Sequence, residues 1–182
     1  KRVDLVIEAF NRLRLPLLVV GDGPERTFLE ELAGPTVQLL GRQTQAQVEA
    51  LMASCRAFVY AALEDFGIAP VEAMAAGAPV IGLGRGGLLD TVRCAAAGRP
   101  YPTGVLFPEQ TVASVAQAVA WFEERQLWQQ LTPEVVRLCA EQFRPEAFAS
   151  RFETALRQAW QQHQQACAVA ASDPVELLEF RS

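Results

Sequence analysis

The sequence predicts an α/β fold, a parallel sheet flanked by helices on both faces. Three observations predict it. Five short apolar runs between residues 15 and 107 alternate with segments of helical periodicity. The runs are apolar throughout rather than at every second position, which is the pattern of strands buried on both faces. Three of them end in glycine, at Gly21, Gly41 and Gly84, where the chain must leave the strand.

Each element has its own local signals. Val3, Val6, Ile7 and Phe10 recur at helical spacing, and Pro16 stops that helix. LPLLVVG (15–21) reads as the first strand. ERTFLEELAG (25–34) reads as a helix with Gly34 in a left-handed cap, and GDGP before it reads equally as a tight turn placing Pro24 at the helix's first position or as a ligand-lining loop. TVQLLG (36–41) is the second strand, and TQAQVEALMASC (44–55) a helix capped by Thr44. AFVYAAL (57–63) is the third strand, APVEAMAAG (69–77) a short helix closed by Gly77, and APVIGLG (78–84) the fourth strand. LLDTVRCAAAG (88–98) is expected as one helix and TGVLF (103–107) as the fifth strand. Three terminal helices are expected over 111–130, 133–142 and 145–165, separated near Pro133 and Pro145.

Composition narrows the function. A chain of 182 residues with 51 % hydrophobic and 20 % charged residues can bury a core, which excludes a disordered chain. A net charge of −5 and the lack of any basic run longer than two residues exclude nucleic acid as a partner. A bound phosphate must therefore be held by backbone N–H groups and one or two placed cations. Cys55, Cys94, Cys139 and Cys167 form no CxxC pair, and His163 is the only histidine, which argues against a zinc site or a Ser/His/Asp triad. Such cysteine usage points to a reducing, cytoplasmic setting. No apolar run is long enough to span a membrane. Lys1 leads straight into a periodic segment, which reads as an excised part of a longer protein, and the stretch 166–182 is a weakly periodic tail.

In a parallel sheet, ligands bind beyond the carboxyl ends of the strands, where helix N-termini point. The loops there are GDGP (21–24), GRQT (41–44), LEDFGIAP (63–70) and GRGG (84–87). Glu64 lies just after the third strand and Glu72 inside the following helix. Two carboxylates beside one helix N-terminus suit its dipole but repel phosphate directly. Their natural partners are hydroxyls, while the N–H groups around Gly67 and Ile68 suit phosphates. A ligand with ribose, diphosphate and a second sugar uses all three features; the plain alternative is an acidic helix start.

The run EDFGIAPVEAMAAGAPVIGLGRGG (64–87) closely resembles the signature of glycosyltransferase family 4: Glu, seven residues, Glu, with Phe66–Gly67 between and Glu-Ala-Met-Ala-x-Gly-x-Pro-Val-Ile behind. VVGDGPE (19–25), LLGR (39–42) and TGVLF (103–107) resemble family motifs in the same order. The resemblance covers residues 1 to about 160. It implies one Rossmann-like half of a two-domain (GT-B) enzyme, the donor-binding C-terminal half, over 1–165. A first strand and an N-terminal acceptor domain would lie outside the sequence.

The resemblance also assigns roles. Glu72 would bind the ribose hydroxyls and Glu64 those of the donor sugar, making them the catalytic pair. Phe66, Gly67 and Ile68 would supply backbone contacts to sugar and diphosphate, and Lys1 would meet the diphosphate. Gly41 and Arg42 would read the base, and Gly21 and Gly87 would line the donor site. The implied reaction is transfer of a hexose, mannose or glucose, from a GDP- or UDP-linked donor to an acceptor with retention of configuration. No metal and no cofactor besides the donor is expected. The acceptor domain of the same protein would close over this half, and any membrane-surface association would run through it.

Other signals are weaker. GLGRGG (82–87) matches G-x-G-x-x-G, but no acidic residue follows about twenty positions on, so its glycines read as close-approach or capping positions. Asp90 reads equally as a cap or a functional group, and Arg85 as solvated. Trp121, Trp128 and Trp160 read as packing residues and His163 as exposed. Three other functions fit parts of the pattern: a glycosidase using Glu64 and Glu72, a non-catalytic nucleotide-binding or docking module, and a GT-B-fold nucleotide-sugar epimerase.

Overall fold

All five predicted strands form and all pairings are parallel, but they lie in two ladders rather than one continuous sheet. The computed structural model describes residues 1–98 and 100–172. Strand β1 (Leu17–Val20) pairs with β2 (Val37–Gly41), with Leu17 opposite Val37. Strands β3 (Phe58–Tyr60), β4 (Val80–Leu83) and β5 (Gly104–Phe107) form a second ladder in the order β3-β4-β5. The central strand β4 is buried at every residue, as a strand covered on both faces must be.

Helices fill the connections: α1 (Val3–Leu13), α2 (Arg26–Leu32), α3 (Gln45–Ser54), α4 (Ile68–Ala76), α5 (Leu88–Thr91), α6 (Val112–Glu124), α7 (Leu127–Gln130) and α8 (Pro133–Ala140). Helix α1 buries Leu5, Val6, Ile7, Ala9 and Phe10 and packs against α6, whose Val115, Val119 and Phe122 are buried in turn. Helix α4 packs against α8, where Gly77 in the left-handed conformation ends α4 and Arg137 donates to the Ala76 carbonyl at 3.0 Å. Thr44 caps α3 through a full capping box with Gln47.

The elements divide into two units, Lys1–Glu141 and the residues from Gln142 on. The second unit consists mainly of α9 (Pro145–Ser172). This helix runs past the expected end at 165 and takes in the first residues of the stretch assigned to the tail; residues 173–182 lie outside the described residues. Along α9, Phe148, Phe152, Leu156 and Trp160 are exposed at a spacing of four, so Trp160 is not the packing residue expected of it.

The structure corrects several local expectations. The segment 88–98 is not one helix: α5 stops at Thr91, and Cys94 instead bridges to Gly104 beside β5. Arg93 receives a bond from the Thr103 N–H at 2.9 Å and donates its own N–H to the Thr103 hydroxyl at 3.0 Å. These long-range bonds outweigh the helix preference of Ala95–Ala97, which form a single 3₁₀ turn. The helix expected over 111–130 breaks at Gln126 (φ 50°), which turns Leu127 and Leu131 into the core and leaves Trp128 against Phe122 and the Arg56 guanidinium. The tight turn at GDGP forms, closed by the Arg26 N–H on the Gly23 carbonyl, but Pro24 lies within it rather than at the first position of α2. Gly34 takes no left-handed conformation, since α2 ends in extended Ala33. A side chain there would collide with Asn11, whose amide joins Gly34 and Leu32 to α1.

Strand β1 also departs from the fully buried pattern, since Leu18 and Val20 are exposed. They line an apolar groove of about 500 Å³ that reaches Ala57, Val59, Ile81 and Phe122. The groove lies where β1 and β3 each have an unpaired edge.

Candidate active site

The site begins with β3 and the loop after it. Tyr60 ends β3 with its ring buried, and residues 61–67 lead to α4. Gly67 is the N-cap of α4 at φ 83°, a conformation that favours glycine. The first turn of an α-helix has no internal acceptors for its N–H groups. At α4 the third residue is Pro70, which has no N–H, and the Val71 N–H already bonds the Gly67 carbonyl at 3.4 Å. The amides of Ile68 and Ala69 therefore carry the positive end of the helix dipole. Ile68, Glu72 and Ala75 form one exposed face of α4, while Pro70, Ala73 and Met74 face the core. Glu72 thus lies one turn behind the helix start on its open side.

Glu64 is held by two partners. The Tyr60 hydroxyl donates to its Oε1 at 2.8 Å, and the Lys1 ammonium forms a close ion pair with the same oxygen. Lys1 also donates to the Tyr60 hydroxyl at 2.9 Å, closing a triangle of three polar groups. The Lys1 ammonium, and then the Tyr60 hydroxyl, hold the Glu64 carboxyl below its ordinary value of 4.5. Glu64, and then Tyr60, raise Lys1 above 10.5. Burial pushes the Tyr60 hydroxyl up.

The sign of the pH effect follows. A depressed carboxyl stabilises the fold above its unfolded value and loses that contribution as pH falls through the lower, folded value; a raised ammonium does so in the opposite sense. The pair is therefore intact between pH 4.5 and 10.5. The difference in melting temperature between the chain and its Glu64→Gln variant is expected to stay constant across that window and to shrink below it. Because Lys1 is exposed and Glu64 only partly covered, the difference will be small. A difference that changes near neutral pH would contradict this assignment.

The loop Gly84–Gly87 braces the site from behind. The Gly87 N–H donates to the Glu64 carbonyl at 2.8 Å, so it serves the loop and is not presented to a ligand. A Cβ on Gly87 would lie on the Asp65 carbonyl oxygen and 2.5 Å from the Phe66 Cα. One on Gly86 would meet the Glu64 carbonyl oxygen. Leu88, fully buried, reaches under both Gly67 and Gly82. Asp90 is exposed, and α5 has no side-chain cap.

Gly21 and Gly41 form a second group, at the ends of β1 and β2. The Gly21 N–H donates to the Gly41 carbonyl at 2.9 Å, and both residues have positive φ. The Arg26 guanidinium lies over Gly41, where a side chain would meet Nη1 at 2.7 Å, and pairs with Glu30. Arg42 is exposed. The structure thus joins Lys1, Glu64 and Gly87 in one cluster and Gly21 with Gly41 in another. Sequence reasoning missed Tyr60, whose only signal was a polar group at the end of an apolar strand.

Among the described residues no group of three or more His, Cys, Asp or Glu could hold a metal ion, and none of the four cysteines is in a disulfide. Among the described residues, no helix is long and apolar enough to cross a membrane.

Known proteins share this architecture. A family model described as "Glycosyl transferases group 1" matches residues 1–136. N-acetyl-alpha-D-glucosaminyl L-malate synthase of Bacillus anthracis is 30 % identical over 163 residues, 85 % of this chain and 41 % of that protein. 2-Deoxystreptamine glucosyltransferase of Streptomyces kanamyceticus is 37 % identical over 108 residues, 56 % of this chain and 26 % of that protein. The chain therefore spans well under half the length of these curated relatives. Among solved structures, sucrose-phosphate synthase of Thermosynechococcus elongatus superposes with a TM-score of 0.70 at 25 % identity, over 89 % of this chain and 43 % of that one. Anabaena Alr3699/HepE in complex with UDP-glucose superposes with a TM-score of 0.64 at 22 % identity, over 85 % and 44 %, a likeness of fold alone.

Proposed function

The chain belongs to the group 1 glycosyl transferases, and from that premise we propose that it is the donor-binding half of a retaining, family 4 hexosyltransferase. The observation that carries this reading is the Lys1–Tyr60–Glu64 triangle beside the open N-terminus of α4, with Glu72 on the exposed face of the same helix. In the proposed reaction the bond from the anomeric carbon to the diphosphate oxygen breaks, and the diphosphate leaves with the electron pair. The acceptor hydroxyl bonds to the same carbon on the same face, and its proton passes to the departing diphosphate oxygen. Charge developing on the diphosphate meets the N–H groups of Ile68 and Ala69 and the Lys1 ammonium. Glu72 takes the ribose hydroxyls, Glu64 the sugar hydroxyls, and Phe66–Ile68 the backbone contacts. Gly21, Gly41 and Arg42 border the base, and Gly87 acts through the loop it braces. Beyond donor and acceptor, the reaction requires no cofactor.

Domain 1–165 would be completed by a further strand between β1 and β3, where two unpaired edges flank an apolar groove. The acceptor domain would belong to the remaining length that the relatives possess. On this reading the enzyme is cytoplasmic, and the 182-residue chain alone binds donor weakly and transfers nothing. The names of the two relatives favour a glucose-type sugar over mannose. A glycosidase is disfavoured, because Glu64 and Glu72 flank a helix start whose open N–H groups suit a phosphate rather than a glycosidic bond.

Calorimetric titration with GDP, UDP, ADP, GDP-mannose and UDP-glucose tests the proposal. The expected result is binding of one nucleotide family, with the nucleotide sugar preferred over the bare nucleotide. Equal affinity for both would favour the docking module instead, and transfer by the chain alone would overturn the division of labour proposed here.

A further inference from the structure

We infer that Tyr60 is a positioning residue, which sets the rotamer of Glu64 and the place of Lys1 so that one carboxylate oxygen and one ammonium proton are held ready for the donor's sugar and diphosphate. The inference deepens the transferase reading and rests on it.

Glu64 stands in a loop between β3 and α4, and Lys1 is a long, exposed side chain separated from it by 63 residues of sequence. Left to themselves, both would sample many rotamers, and ordering them on ligand binding would cost affinity. Tyr60 removes that freedom. Its ring is anchored: it is the last residue of β3, is 9 % exposed, and stacks on Phe58 with ring centroids 5.9 Å apart at 22°. A hydroxyl carries one proton and can accept as well as donate. Here it donates to Glu64 Oε1 at 2.8 Å and accepts from Lys1 Nζ at 2.9 Å. A single rigid group thereby fixes an anion and a cation at once.

The bonding leaves a defined remainder. Both bonds to Glu64 end on Oε1, so Oε2 is committed to neither Lys1 nor Tyr60. Lys1 uses two of its three ammonium protons, on Tyr60 and Glu64. Oε2 can accept from a sugar hydroxyl, and the third proton can be donated to a phosphate oxygen. A bare nucleoside has neither group. Tyr60 is therefore expected to govern discrimination between a nucleotide sugar and the nucleoside part of it, while ribose and base are left to Glu72 and the Gly41–Arg42 loop.

Tyr60→Phe in the full chain removes the hydroxyl and keeps the ring. Two measurements follow. In a carboxyl-carbon NMR titration without ligand, the Glu64 carboxyl is expected to move up towards its ordinary value of 4.5. In calorimetry, affinity for UDP-glucose is expected to fall about tenfold or more, as loss of a bond to a charged group implies, while affinity for uridine stays within about twofold; GDP-mannose and guanosine replace these if guanine is the base. Tyr60→Phe with an unmoved Glu64 titration overturns the positioning role, whatever the donor does. An equal loss for UDP-glucose and uridine also overturns it, since that marks a general structural defect. If the unsubstituted chain binds no nucleotide sugar although Tyr60→Phe moves Glu64 as expected, the transferase reading fails and takes this role with it.

Discussion

Glu72→Ala is expected to weaken nucleotide binding by roughly 10- to 100-fold with no loss of stability. The magnitude follows from the chemistry of a carboxylate that accepts from ribose hydroxyls, where bonds to a charged group contribute about 1.5–3 kcal/mol. Stability should hold because Glu72 is exposed on α4 and Ala73 and Met74, not Glu72, pack into the core. Calorimetric titration and a melting curve on the same preparation check both halves. Undiminished binding would remove Glu72 from the ribose site. A large drop in melting temperature would mean that the carboxylate serves the helix, as the plain acidic-start alternative holds. Within the transferase reading, the loss should be of similar size for the bare nucleotide and the nucleotide sugar. That pattern separates Glu72 from Tyr60, whose hydroxyl should affect the nucleotide sugar far more than the nucleoside.

Gly87→Ala is expected to lose both stability and donor binding, though Gly87 itself presents no N–H to a ligand. Its φ of −61° suits any residue, so the backbone conformation costs nothing. The cost is space: the added methyl would fall on the Asp65 carbonyl and the Phe66 Cα, and backbone atoms cannot swing aside as a side chain can. Overpacking of this kind destabilises by about 1–3 kcal/mol, or very roughly 2–12 °C of melting temperature in a chain of this size. The loop that must move carries Glu64, Phe66 and Gly67, so donor affinity should fall by more than Glu64→Gln alone produces. Gly23→Ala is the control, since a side chain there meets nothing within 4 Å and its φ is not positive. If Gly87→Ala melts and binds like that control, the two loops are not mechanically joined.

The strand segments and most of the helices were legible because they rest on local chemistry. Apolar runs of strand length, Thr44 with Gln47 three residues later, and Gly77 behind a helix each act within a turn or two of the chain, and each appears where expected. The two glutamates were legible for the same reason: eight positions separate Glu64 from Glu72, and the intervening Phe66–Gly67 marks the turn into α4.

Other features were settled by contacts between residues far apart in the sequence. The sequence alone determined which segments are strands, where most of the helices run, and that Glu64 and Glu72 flank one helix start. The tertiary structure decided that residues 92–94 leave their helix to meet Thr103 and Gly104, and that Gln126 breaks another so that Leu127 and Leu131 reach the core. It decided that Gly34 serves the approach of Asn11 rather than a cap, and that Gly87 braces the Glu64 loop. It also decided that Tyr60 stands between Lys1 and Glu64. The reason lies in magnitudes and range. Helix preference differs among most residues by a few tenths of a kcal/mol per position, so one buried hydrogen bond or one large side chain entering the core overrides it, and the partner that supplies such a contact is fixed only once the whole sheet is assembled.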